Sequence, residues 1–171
     1  MKGNKNTYAL FDERVKVKNR YTREEGLRNL AARYFRSHGP ATLQDFANWS
    51  GLPTADARNA LEWGRTDLIS EKIGDLTYWF TPSAEPAMAA SSNCFLLPAF
   101  DEFIIGYKDR GACLPAKHKS VVISLNAIFW PVIVANSTVV GLWKRSVANN
   151  RVTISLNFFS MTFLSKNRTP K

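Results

Sequence analysis

The chain of 171 residues is 45% hydrophobic and 22% charged, which suits a packed core and excludes a disordered polyelectrolyte. No apolar run approaches the roughly 18 residues that a membrane span needs, and the polar start at residues 1–7 lacks the apolar stretch of a signal peptide. The net charge of +9 is uneven: residues 1–20 carry +4, 21–50 carry +1, 51–90 carry −3 and 91–171 carry +7. A polyanionic partner would therefore be met at the ends of the chain and not by its middle.

Residues 7–11 form a short apolar run, a strand or extended segment that leads into a charged linker, so residues 1–20 read as a lead-in. Thr22 and Glu25 have the spacing of a capping box, with hydroxyl and carboxylate each able to satisfy an orphan N–H of a helix start. Leu27, Leu30, Ala31, Tyr34 and Phe35 then follow at helical spacing as one apolar stripe, and Gly39-Pro40 ends it. Thr42 and Asp45 repeat the capping pattern for a second, short helix with Leu43, Phe46 and Ala47 inward. A third helix is capped by Thr54, buries Ala57, Ala60 and Leu61, and stops at Gly64.

Residues 68–73 and 76–80, joined by Gly74-Asp75, predict a hairpin. Three helices followed by a hairpin outline a winged helix-turn-helix over residues 21–82. The Pro-, Ala- and Ser-rich residues 81–93 mark a domain boundary. Beyond it, residues 100–107 are either a short helix or a strand, and periodicity does not decide between them. Residues 121–125, 129–134, 138–143 and 151–158 are rich in β-branched and aromatic side chains. Asn136-Ser137 and Asn149-Asn150 suit hairpin turns, because Asn tolerates positive φ. These strands suggest a meander that curls into a small antiparallel β-barrel-like domain over residues 94–164. The fold class is thus α+β, and the tail at 165–171 is polar.

Five separated segments carry a family resemblance. They are Tyr8-Ala-Leu10, Tyr34-Phe-Arg-Ser-His-Gly-Pro-Ala-Thr42, Asp45-Phe-Ala-Asn-Trp-Ser-Gly-Leu52, Leu97-Pro-Ala-Phe-Asp-Glu-Phe-Ile-Ile-Gly-Tyr-Lys-Asp-Arg110 and Val140-Gly-Leu-Trp-Lys-Arg145. In this order the chain resembles the bacterial winged-helix DNA-binding-domain family that includes the AlkZ-type DNA glycosylases. The resemblance implies tandem winged helices ending in a β-barrel and wrapped around duplex DNA, with DNA repair as the setting. It also implies that the chain corresponds to the C-terminal half of such proteins, and that an upstream or self-associated domain completes it. Their glycosylase motif is a Gln-x-Gln or Gln-x-Asp triplet. The single glutamine, Gln44, is followed by Asp45 and Phe46 and forms neither.

On this reading the chain binds double-stranded DNA through backbone phosphates, without a catalytic residue, cofactor or metal of its own. The alternatives are the C-terminal part of a glycosylase for alkylated or crosslinked bases, and a protein-interaction module. The third helix presents Thr54 and Arg58, but Asp56 and Glu62 beside them make it a poor phosphate surface, and a structural brace competes with DNA contact there. The hairpin adds Lys72. The stronger candidates are Lys108 and Arg110, then Lys144 and Arg145, with Arg151 across the second Asn turn. A solvated positive face is the plainer alternative.

Asp101 has two readings: a helix cap or ion-pair partner, and a group that steers water near DNA. His38 and His118 have no second ligand at metal spacing. Cys94 and Cys113, without a C-x-x-C, fit a reducing cytoplasm.

Overall fold

The computed structural model describes residues 7–16, 21–82 and 94–160. Residues 83–93 of the boundary expected at 81–93, the tail at 165–171 and the linker residues Lys18 and Arg20 lie outside the described residues. Residues 7–10 form no strand, Leu10 has extended backbone, and a single helical turn, α1 (Phe11–Arg14), begins at the last residue of the apolar run.

Helix α2 (Arg23–His38) begins on the complete Thr22–Glu25 capping box, in which Thr22 Oγ1 accepts from Glu25 N at 3.2 Å and Glu25 Oε2 accepts from Thr22 N at 2.8 Å. The Thr22 backbone N–H holds the Glu25 carboxyl below its ordinary pKa. The cap is therefore complete at neutral pH, and its contribution is lost as acid protonates Glu25. Gly39 caps the C-terminus by donating its N–H to the Phe35 carbonyl, and a larger residue is excluded because a Cβ there would lie 2.9 Å from the Phe80 Cα.

Strand β1 (Ala41–Thr42) leads into α3 (Leu43–Ser50), which starts on the Thr42–Asp45 box and ends at Gly51 with φ of 69°. Helix α4 (Thr54–Gly64) follows. Here Pro53 occupies the capping position and Thr54 is the first helical residue with no side-chain cap, while Gly64 lies inside the helix and not beyond it. Strands β2 (Ile69–Ile73) and β3 (Leu76–Phe80) form the expected hairpin, and β1 adds to it in the order β1-β3-β2. The helices and this sheet close on Leu27, Ala31, Tyr34, Phe35, Ala41, Phe46, Ala57, Ala60 and Leu61. Burying the stripe predicted from helical spacing supplies the driving force, at about 25 cal/mol per Å² of apolar surface.

The second sheet contains β4 (Cys94–Leu97), β5 (Val132–Ala135), β6 (Thr138–Ala148) and β7 (Arg151–Phe158), all antiparallel and in that order. Two short helices, α5 (Glu102–Ile105) and α6 (Lys119–Val122), cover one of its faces. Ile104, Leu114, Val122, Val132, Val134 and Val139 form its core. Both Asn turns are present, with φ between 48° and 60° at Asn136, Ser137, Asn149 and Asn150.

Two expectations are corrected. Residues 121–125 are not a strand: α6 ends at Val122, and only an Ile123–Phe129 bridge follows. The sheet also does not close into a barrel, because without that strand β4 and β7 remain opposite edges among the described residues. Residues 100–107, open between helix and strand on the sequence, contain α5.

At Gly141 of β6 the backbone of β7 lies close. A Cβ there would run into the Asn157 carbonyl oxygen and lie 3.0 Å from the Phe158 Cα. Both obstacles are backbone, so neither can rotate away. Gly141→Ala is expected to destabilise the fold by about 2 kcal/mol, measured as a lower midpoint in chemical unfolding.

Candidate nucleic-acid interface

Register decides what the basic residues of the second sheet share. Lys144 lies opposite Ser155, Ser146 opposite Thr153 and Ala148 opposite Arg151. Residues opposite one another share a face, and neighbours along a strand alternate. Lys144, Ser146, Arg151, Thr153, Ser155 and Asn157 therefore lie on one side of the β6–β7 ribbon, all exposed. Near the core this side buries Val132 and half-buries Leu142. Further out it becomes a row of cations, hydroxyls and an amide. Arg145 lies opposite Ile154, on the other face. The structure thus joins Lys144 to Arg151 and separates Arg145 from both.

No acidic residue occurs from position 111 to the end of the chain. The cations of this sheet consequently have no carboxylate of their own segment to pair with, and their field extends outward.

Arg110 is placed differently. Its Nε donates to the Ile104 carbonyl at 2.6 Å, its Nη1 donates to the Lys108 carbonyl at 3.1 Å, and its guanidinium lies 5.3 Å from the centre of the Phe129 ring. Burial lowers its pKa from the ordinary arginine value, and charges on Cys113, Asp45 and Asp109 oppose that shift. Arg110 thus commits two of its five N–H donors to carbonyls in and just after α5. Lys108 Nζ donates to Gln44 Oε1 at 3.3 Å and remains exposed.

On α4, Asp56 pairs with Arg23 at 2.7 Å and Glu62 with Arg65 at 3.2 Å. Both acids of the third helix are therefore engaged, and exposed Thr54 and Arg58 stand apart from the β6–β7 cations in sequence and element. Lys72, opposite Thr77 in the β2–β3 hairpin, is also exposed.

A family model described as DNA glycosylase AlkZ-like matches residues 1–165. The chain belongs to the AlkZ-like DNA glycosylase family. It is 30% identical over 120 residues to an interstrand DNA cross-link repair glycosylase of Streptomyces sahachiroi, which covers 65% of this chain and 32% of that protein. The solved structure of Streptomyces sahachiroi DNA glycosylase AlkZ superposes with a TM-score of 0.63 at 22% identity, over 86% of this chain and 39% of that one. This likeness shows a shared fold. The chain spans about a third of the length of the curated relative it matches.

In this AlkZ-like chain a junction between the two cores joins groups that the sequence analysis did not connect. Asp45 is 4% exposed. Its Oδ2 accepts from Thr42 N at 2.9 Å and from Thr42 Oγ1 at 2.7 Å, which is the local cap. Its Oδ1 accepts from Lys108 N at 2.8 Å and Asp109 N at 3.3 Å, sixty residues away in the chain. Tyr34 donates to the Gly106 carbonyl and Tyr107 to the His38 carbonyl, each at 2.9 Å. Burial raises the pKa of both phenols, with the Asp45 charge adding to it, so both remain protonated donors. Glu102 Oε2 accepts from Trp49 Nε1 at 3.2 Å and lies 3.3 Å from His38 Nε2.

The only local signal was the capping spacing at Thr42 and Asp45. Nothing in it announced the second use of the carboxylate. Beside the junction lies a cleft of about 680 Å³, whose walls include Gln44, Tyr78, Phe103, Lys108 and Arg110.

Asp101 is a helix cap: its Oδ1 accepts from Phe103 N at 2.9 Å at the start of α5. Among the described residues no three His, Cys, Asp or Glu side chains converge as a metal site, and no helix is long and apolar enough to cross a membrane.

The two cysteines differ in setting. Cys94 is exposed, whereas burial raises the Cys113 thiol above its ordinary pKa. Because the thiolate is the reactive form, an alkylating reagent at neutral pH is expected to modify Cys94 first. Cys113 should follow only as pH rises well above that of a free thiol, a sequence that intact-mass spectrometry over a pH series will read.

Proposed function

We propose that this chain is a DNA-binding member of the AlkZ-like family that grips duplex DNA by its phosphates and does not cleave a glycosidic bond by itself. On this reading residues 21–82 are a winged helix-turn-helix, residues 94–164 a second, sheet-based domain, and residues 1–20 a lead-in. The carrying observation is the exposed row on β6 and β7 that holds Lys144 and Arg151 among Ser146, Thr153, Ser155 and Asn157, in a segment without acids. Cations and hydroxyls without competing carboxylates suit phosphate oxygens, which carry position and not sequence. Lys108 extends the set, and Arg58, Thr54 and Lys72 on the first unit form a second, weaker contact. Arg145 belongs to the other face and contributes little.

Fluorescence anisotropy with a labelled duplex across a salt series tests this. If these cations reach phosphates, log affinity should fall against log salt with a slope of about −4.5, at about −0.9 for each. Binding that is absent at low salt, or indifferent to salt, removes the proposal.

A second reading is the C-terminal part of a glycosylase for alkylated or crosslinked bases. It is favoured by the relative's description as a cross-link repair glycosylase and by the third of its length that this chain spans. Here Gln44, with its amide oxygen accepting from Lys108, would be a structural residue. Release of an alkylated base only when an upstream half is supplied would establish this reading, and release by the isolated chain would overturn the first.

A further inference from the structure

The other face of the β6–β7 ribbon carries Arg145 among exposed apolar side chains. Val147, Val152, Ile154 and Leu156 share it and are 61%, 59%, 44% and 51% exposed. The same strand is an edge: from Arg151 to Asn157 no further strand pairs with β7 among the described residues. Natural edge strands are blunted by lysine, proline, a bulge or shortness. β7 is eight residues long, and residues 152–160 contain no charge and no proline. From Arg151 to Asn157 no strand among the described residues lies against this row of backbone donors and acceptors, and beside an apolar stripe such a row is suited to strand addition.

The sequence of β7 also complements itself. When two copies are antiparallel about Ile154, Ile154 faces its equivalent, Val152 faces Leu156, Thr153 faces Ser155, and Arg151 faces Asn157. Apolar side chains meet on one face and hydroxyls on the other. No like charges lie opposite. The two Arg145 side chains would be three strand spacings apart, roughly 14 Å at about 4.8 Å each, which is beyond the ~10 Å screening length at 0.1 M salt.

We infer that two copies of this chain pair through their β7 edges, in antiparallel register about Ile154, to make one continuous eight-stranded sheet. The polar row with Lys144 and Arg151 stays open on the opposite face of both copies. The pairing does not depend on the proposed DNA binding.

Sedimentation velocity of the full chain over a concentration series tests the inference. A reversible shift from 19.3 kDa towards twice that mass is expected. Ile154→Glu should abolish it, because two carboxylates would then face each other at the axis. In the same chain that carboxylate lies opposite Arg145, which favours the hairpin, and an unchanged thermal melt will show that the fold is kept. Ile154→Cys in a Cys94→Ser background should be joined into a covalent dimer by a short bifunctional thiol reagent, since residues directly opposite have Cβ atoms roughly 5 Å apart.

A chain that remains monomeric at the highest concentration overturns the inference, as does a dimer that Ile154→Glu leaves intact. Protection of the amides of residues 152–156 from exchange only when a duplex is added would assign this edge to nucleic acid and equally overturn it.

Discussion

Asp45→Ala is expected to cost about 3 kcal/mol of stability and to lower the melting temperature by on the order of 10 °C. The carboxylate accepts four hydrogen bonds: two from Thr42, one from Lys108 N and one from Asp109 N. Alanine leaves the donors in a site that is 4% exposed, where water cannot readily replace the lost acceptor. The loss acts twice, because α3 loses the carboxylate half of its capping box and the segment after α5 loses its anchor on the first core. Asp45→Asn should fall between wild type and alanine, since one amide oxygen can serve one pair of donors but its NH₂ group faces the other pair. Thermal melts followed by circular dichroism will measure both. If alanine melts within a degree or two of wild type, the carboxylate is not what joins the two cores.

Lys144→Gln combined with Arg151→Gln is expected to weaken duplex binding on the order of 50-fold near 0.1 M salt and to make the salt slope shallower by about 2, the counterion effect of two phosphate contacts. Arg145→Gln serves as the internal control. It is adjacent to Lys144 in sequence but on the opposite face of the ribbon, so it should change affinity at most a few-fold. Equal losses from all three positions would show that net charge, and not the face that carries it, governs binding. The three residues are exposed and hold no ion pair among the described residues, so loss of fold should not complicate the comparison.

The contrast between these two predictions follows the limits of local pattern. Leu27, Ala31, Tyr34 and Phe35 recur at helical spacing after a capping box, and that pattern needs nothing distant to be read. The same holds for Ala57, Ala60 and Leu61, and for the Asn turns, whose positive φ values are intrinsic to the residue type. Family membership was legible too, because five ordered segments specify it without any knowledge of contacts.

Errors arose where local preference and tertiary demand part. Residues 121–125 have the composition of a strand, yet they contain the end of a short helix whose Val122 packs against Val132 and Val134. β-Branched side chains serve a buried helix end as well as a strand when packing decides. With that strand absent, the sheet stays open.

Among the candidate contacts, sequence placed Lys144, Arg145 and Arg151 together because they are close along the chain and across one turn. Only the register of β6 against β7 could divide them, since alternate residues in a strand point to opposite faces. Arg110 was grouped with Lys108 for the same reason of proximity, while the fold turns its guanidinium inward to two carbonyls and the Phe129 ring.

The sequence by itself therefore determined the three helices, both Asn turns, the family and the basic, acid-free end of the chain, all of which depend on residue type and short spacing. Only the tertiary structure decided that the sheet is open, which cations share a face, and that Asp45 serves two cores at once. Those facts depend on strand register and on contacts between residues more than sixty positions apart, and such pairings leave no periodicity in the chain to be read.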